Sequence, residues 1–128
     1  MKITSFNPLI VTKDPEAVVA LFEALGFAKK HAPTGTSAVG NQYAAYRMAD
    51  ANGFHVDIAT SSAQMQRDLT SVRVNVDDFD EAYAFLIARG FTNTQNGSVT
   101  NTGSAKACML YSPSGFSINL IQHIKNHD

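Results

Sequence analysis

Several things are scarce in this sequence, and each scarcity closes a class of explanation. Cys108 is the single cysteine in 128 residues. One thiol makes no internal disulfide, so the fold must rest on its apolar core, and this usage agrees with a reducing, cytoplasmic setting. Charge nearly cancels, with 10 Lys and Arg against 11 Asp and Glu for a formal net charge of −1. That leaves no basic stripe for nucleic acid and no polybasic segment for an anionic membrane surface. No apolar run approaches the roughly 18 residues of a membrane span, and Lys2 leads at once into a strand-like stretch, so neither a signal peptide nor a transmembrane helix is expected. Low-complexity segments are missing too. The Gly35 to Gly40 segment has no Lys-Ser/Thr to build a phosphate loop. Ser112-Pro113-Ser114-Gly115 runs into a strand-like stretch, not the helix that a serine nucleophile elbow needs.

What the chain does have is repetition. Asp14 to Phe27 (DPEAVVALFEALGF) aligns without a gap on Asp78 to Phe91 (DFDEAYAFLIARGF), at an offset of 78 − 14 = 64. Asp50 to Thr60 (DANGFHVDIAT) aligns on Ser112 to Gln122 (SPSGFSINLIQ), at 112 − 50 = 62. An offset of half the chain means two copies of one supersecondary unit, each exposing an apolar sheet face that its twin helps to bury. With 45% hydrophobic and 16% charged residues in 128, the copies are halves of one domain and not two domains.

Each half spells the same order of elements. Ile3 to Val11 reads as a strand. Asp14 then caps a helix with Pro15 at its first position, where the missing N–H costs nothing, and Gly26 ends it. The spacing of Val18, Leu21, Phe22 and Leu25 predicts the buried stripe. In the second half Asp78 and Glu81 form a capping box, Ala82, Phe85 and Leu86 make the stripe, and Gly90 terminates. Three shorter strands follow each helix: about Ala28 to Ala32, Gln42 to Met48 and Phe54 to Thr60, then Thr92 to Gln95, Lys106 to Tyr111 and Phe116 to Gln122. They are separated by the Gly35 to Asn41 loop, Asn52-Gly53, Asn96-Gly97 and Ser112 to Gly115. The expected fold class is α+β, a tandem βαβββ repeat, with units of about residues 1–60 and 71–124, a crossover at 61–70 and a frayed tail from Asn126.

With Val11, Asp14, Phe22 and Leu25-Gly26-Phe27 in the first half and Ser112-Pro113-Ser114-Gly115-Phe116 opening the last strand, the chain resembles the vicinal oxygen chelate superfamily over nearly its whole length. That superfamily holds glyoxalase I, bleomycin-resistance proteins and extradiol dioxygenases. The resemblance implies two curved half-sheets around a cup-shaped cavity, and a homodimer. It also implies where a metal would be held: on the first and last strands of each unit, usually by His or Gln with Glu. Those positions here are Asn7, Asp57, Ser71 and Asn119. Two amides, a hydroxyl and one carboxylate make a poor divalent-cation site, so the expectation is a member with no metal and no other cofactor.

Strand alternation adds neighbours to that face. With Asn7 and Ser71 inward, Ser5, Leu9, Val11, Arg73 and Asn75 share their side, and Phe6, Ile10, Val72, Val74 and Val76 pack on the helices. In the last strands His55, Asp57, Ala59, Ser117, Asn119 and Ile121 point inward, leaving Phe54, Val56, Ile58, Phe116, Ile118 and Leu120 for the core. The candidate ligand-binding set is therefore Asn7, His55, Asp57, Ser71, Arg73 and Asn119. Arg73 either pairs with Asp57 or grips an anionic ligand. His55 and Asp57 are the catalytic candidates as a proton-transfer dyad, or else a structural hydrogen-bonded pair. His31, His123 and His127 are assigned to solvent, Cys108 to the core, and Tyr43, Tyr46 and Met48 to either the core or the cavity rim. Two functions fit: a metal-free small-molecule-binding protein whose ligand is planar or partly anionic, or a glyoxalase-like lyase or isomerase with divergent catalytic residues.

Overall fold

A computed structural model of the chain describes residues 1–31, 34–36, 42–60, 66–94, 97–101 and 103–123. Its elements are β1 (Ile3–Thr12), α1 (Pro15–Ala24), β2 (Ala28–His31), β3 (Thr34–Thr36), β4 (Gln42–Ala49), β5 (His55–Thr60), β6 (Leu69–Val76), α2 (Phe79–Ala88), β7 (Thr100–Asn101), β8 (Ala105–Tyr111) and β9 (Ser117–His123). They form two compact units, one of Asn7–Thr70 and the other of Met1–Phe6 with Ser71–Asp128. Strand order in the first is β2-β4-β5-β1 with β3 on β4, and in the second β1-β6-β9-β8-β7. Strand β1 is thus divided, giving its first residues to one unit and its later ones to the other.

The first and last strands of each repeat run parallel, β1 with β5 and β6 with β9. The remaining ladders, β4 with β5 and β8 with β9 among them, are antiparallel. This is the α+β tandem βαβββ fold that the repeat predicted. Two strands differ from expectation. Thr34–Thr36, which overlaps the start of the expected Gly35 to Asn41 loop, pairs with β4 instead. Of the expected strand Thr92 to Gln95, Gln95 lies outside the described residues, and among the other three Thr92 alone keeps a bridge, to Tyr111. Asn93 diverts the chain there, its Nδ2 donating to the Ser98 carbonyl (3.0 Å) and to Tyr83 Oη (3.3 Å). The short pairing strand comes later, at Thr100–Asn101.

Both helices start and stop where the sequence says. Asp14 accepts from Ala17 N (3.3 Å) and Asp78 from Glu81 N (3.0 Å), the side-chain capping that satisfies otherwise orphaned first-turn donors. The capping box does not close, because the Glu81 carboxylate meets the Met1 ammonium. Gln122 takes part in the cap from outside, its Oε1 accepting from Phe79 N at 2.7 Å. Gly26 and Gly90 sit at φ +104° and +94°, and the amides that follow them, Phe27 N and Phe91 N, reach back to Phe22 O and Leu86 O.

The buried face of each helix lies about one residue from the predicted stripe. In α1 it is Pro15, Val18, Val19 and Phe22, while Leu21 and Leu25 are 55% and 63% exposed. In α2 it is Phe79, Ala82, Tyr83 and Leu86, with Phe85 exposed. Both phases satisfy helical spacing in α1, and packing decides between them. Val19 joins Met48, Val56 and Ile58 in the first core, with Ile10, Val18, Phe22, Phe27 and Tyr46 against it. Phe79 and Ala82 join Val74, Val76, Cys108, Leu110 and Leu120 in the second. Each fully buried aliphatic side chain here contributes about 1.5–3 kcal/mol. Phe6 and Phe54, expected in the core, are 66% and 65% exposed, and Phe116 is exposed as well. Phe54 and Phe116 each precede a strand and close a tight loop instead, their amides donating to Asp50 Oδ1 and Ser112 Oγ. No helix among the described residues is long and apolar enough to cross a membrane.

Candidate functional site

The helix-distal face of the first unit is where its polar residues collect. The turn from Asp50 to Phe54 fixes the β4–β5 register: Ala49 opposes His55, Arg47 opposes Asp57, and Ala45 opposes Ala59. On the other side of β5, Leu9 of β1 lies beside Asp57. Asp57 is 1% exposed, and a buried carboxylate is tolerable only with donors around it. It has them. Asn7 Nδ2 donates to Oδ2 at 2.9 Å and also to the Pro8 carbonyl at 2.9 Å, while Arg47 Nε lies 3.4 Å from Oδ1. Asn7 thus turns its amino group, and not its oxygen, toward the carboxylate. Among the described residues Arg47 makes no other hydrogen bond, so its terminal Nη1 and Nη2 carry none.

The second unit repeats this geometry with different chemistry. Arg73 on β6 opposes Asn119 on β9, and Asn119 opposes Met109 on β8. Arg73 and Asn119 are half-buried, Ser71 and Asn75 buried. The Ser71 hydroxyl donates to the Ser117 carbonyl (3.0 Å) and lies 3.5 Å from Met109 Sδ. Asn75 Nδ2 donates to Ser5 Oγ. Among the described residues, the buried Asn75 Oδ1 and Ser117 Oγ on this face have no hydrogen-bond partner.

Of the residues picked from sequence, the structure joins Asn7 to Asp57, and it sets Ser71, Arg73 and Asn119 on one face of the second unit. His55 stands apart: it is exposed at the start of β5, and no hydrogen bond links it to Asp57. Tyr46 and Met48 face the helix-side core. Cys108 is buried, and burial pushes its thiol up to about 11, which keeps it protonated and unreactive. His123 is exposed, as expected; His127 lies outside the described residues, as do 37–41 of the expected loop and 61–65 of the crossover. The side chains of His31 and Tyr43 are likewise outside them. Arg47 is the residue that sequence reading missed. The hairpin register would have found it, because counting outward from the Asn52-Gly53 turn sets 47 opposite 57. No three His, Cys, Asp or Glu gather as metal ligands among the described residues.

No protein-family model matches the sequence, and no curated protein does. Solved structures do match. A methylmalonyl-CoA epimerase is similar over 93% of this chain and 94% of its own, at 18% identity and a TM-score of 0.65. Glyoxalase I from Zea mays is similar over 98% of this chain but 45% of its own, at 16% identity and a TM-score of 0.66. A glyoxalase/bleomycin resistance protein/dioxygenase superfamily member from Vibrio splendidus 12B01 is similar over 94% and 99%, at 13% identity and a TM-score of 0.59. At such identities the likeness is one of architecture, and it agrees with the internal repeat: this chain has the tandem βαβββ fold of the vicinal oxygen chelate superfamily.

Proposed function

We propose that the chain is a metal-free small-molecule-binding protein of the glyoxalase/bleomycin-resistance type. The observation that carries this reading is the surroundings of Asp57. At a position where the fold family would use a metal ligand, its carboxylate is held by the Asn7 amide and faced by the Arg47 guanidinium. A divalent cation needs oxygen or imidazole lone pairs directed at one point. Here Asn7 directs N–H at Asp57, the Ser71 hydroxyl donates to a backbone carbonyl, and the guanidinium supplies the positive charge that a metal would. These side chains do not fit a metal.

In this reading each unit contributes its own ligand-facing positions: Asn7 and Asp57 with His55 at their margin in the first, Ser71, Arg73 and Asn119 in the second. The arrangement gives no support to a proton-transfer dyad, since His55 is exposed and Asp57 is committed to its donors. The ligand is a small organic molecule with a planar or partly anionic group. The same reading includes a cytoplasmic homodimer, supported by the exposed Ile3 and Phe6 on β1, which sedimentation equilibrium at micromolar concentration will show as twice the chain mass.

Native mass spectrometry of gently purified protein, with elemental analysis of the same sample, tests the function. The expected result is an organic adduct that heat or solvent releases, no stoichiometric Zn, Ni, Fe or Mn, and a melting temperature that chelator leaves unchanged. About one metal per chain with a chelator-sensitive melting temperature would overturn it, because metal sites of this kind contribute of the order of 10 kcal/mol to stability.

A further inference from the structure

We infer that Arg47 is the anion-recognising residue of the first unit and that the group it takes is a carboxylate on a small apolar body. The inference rests on the small-molecule-binding reading above and narrows it to a chemical class. Arg47 is tethered through Nε, which lies 3.4 Å from Asp57 Oδ1. That tether orients the planar guanidinium while its two Nη groups, which no described residue bonds, project as a fork. The side chain is 35% exposed, so the fork can be reached from solvent. A two-pronged guanidinium end matches the two oxygens of a carboxylate in bidentate fashion.

The floor beside the fork is unusually low. Ala45 and Ala59 oppose one another one pleat along from the Arg47–Asp57 pair, and Ala49 follows one pleat the other way. Alternation places all three on the face that carries Arg47. Ala49 is buried, while Ala45 and Ala59 stay part-exposed, and their methyl groups offer an apolar surface that suits an aromatic or short aliphatic body attached to the acid. The apolar floor sharpens the choice. An acid with an apolar body gains contact with the alanine methyls beside the guanidinium, whereas inorganic phosphate has no such body to lay there. A carboxylate on an apolar body is therefore preferred to inorganic phosphate.

The test is titration of the full chain with benzoate, benzamide and inorganic phosphate, following the Arg47 Nε–H signal and the Ala45 and Ala59 amides by proton–nitrogen correlation NMR. Benzoate is expected to shift all three saturably, and benzamide and phosphate to bind at least about tenfold more weakly. Arg47→Lys, which keeps the charge but loses the tethered fork, is expected to weaken benzoate by about tenfold, and Arg47→Gln by more. Benzoate that leaves the Arg47 signal in place, phosphate that matches it, or undiminished binding by Arg47→Lys each overturns the inference. Should Arg47→Gln fail to fold, the lysine variant and the wild-type titration decide alone. Benzamide binding as tightly as benzoate, with the same amides moving, removes carboxylate recognition yet leaves small-molecule binding standing. The failure of that broader reading is seen separately, in the native mass spectrum.

Discussion

Arg47 and Asp57 face one another across the β4–β5 ladder, and the residues in the same register of the second repeat are Met109 and Asn119. The offsets agree, 109 − 47 = 62 and 119 − 57 = 62. Where one half has a guanidinium and a carboxylate, the other has a thioether and an amide. At this strand pair the second half is free of charge, and its guanidinium, Arg73, sits on β6 beside Asn119 instead. Arg47→Met alone removes the guanidinium beside a buried carboxylate and is expected to cost about 2 kcal/mol. The double variant Arg47→Met/Asp57→Asn is expected to recover at least about 1 kcal/mol of that, a coupling that urea denaturation of both single variants and the double will measure. Strictly additive effects would mean that the two side chains do not interact.

The helix faces give a second comparison between repeats. Leu25 is exposed, and its counterpart is Arg89, whose guanidinium lies 3.5 Å from the centre of the Phe85 ring and whose Nη1 donates to the Phe85 carbonyl. Leu25→Arg is expected to change stability by less than about 0.5 kcal/mol, as for other exposed sites. Val19→Ala, which empties part of the first core, is expected to cost about 1–3 kcal/mol. Thermal unfolding of the two variants side by side checks the order. A larger loss for Leu25→Arg would restore the stripe read from sequence.

Gly26 and Gly90 end equivalent helices at similar positive φ, but their surroundings differ. A methyl group at Gly26 meets nothing within 4 Å, whereas one at Gly90 comes within 2.9 Å of Pro113 Cγ. Gly26→Ala is expected to cost about 1 kcal/mol, the strain of a left-handed alanine. Gly90→Ala carries the same strain plus displacement of the proline ring, so its chemical denaturation midpoint should fall further.

Cys108 ties stability to alkaline pH. Burial raises its folded-state value from 9.0 to about 11, so between those values the unfolded chain releases a proton that the folded chain keeps. The folded state binds more protons in that window, and stability therefore falls as pH rises through it. The contribution is complete below about pH 9 and gone above about pH 11. The melting temperature of the wild type is expected to drop more steeply over that window than that of Cys108→Ala, which lacks the titrating group. Parallel curves would show that the thiol ionises as readily in the fold as outside it.

The repeat made the architecture legible because it fixed element order, offsets and caps together. Asp14, Asp78, Gly26 and Gly90 act locally, through hydrogen bonds and dihedral angles that depend on their immediate neighbours, and they behave as read. Leu21, Leu25 and Phe85 were misplaced because two helical phases had the right spacing, and tertiary packing chose between them. The Leu25–Arg89 mismatch in the alignment already carried the answer: a position that accepts arginine in one copy faces water. Asn93 diverted an expected strand through side-chain bonds to Ser98 and Tyr83, which pattern alone does not show. Within the candidate site, alternation accounts for Asn7 and Asp57 sharing a face, while the hydrogen bond between their side chains emerges only from the structure. Arg47 is legible only from the hairpin register counted outward from the turn, which the alternation along β4 does not by itself supply.

The division of β1 bears on the order in which the molecule can assemble. Leu9 to Thr12, and the Asn7 side chain, find their partners within the first half of the chain, in β5. The six residues before them do not. Lys2 exchanges hydrogen bonds with Asp77, the Met1 ammonium meets Glu81, and Ser5 meets Asn75, across 75, 80 and 70 residues of sequence. Closing so long a loop is entropically slow compared with forming a hairpin such as β4–β5. During synthesis the opening of β1 emerges well before its partners and must wait until β6 and the start of α2 have left the ribosome. The residues that open β1 are thus among the last of the first repeat to reach their native partners, and the second repeat, although contiguous in sequence, finishes its sheet only when that distant segment returns to it.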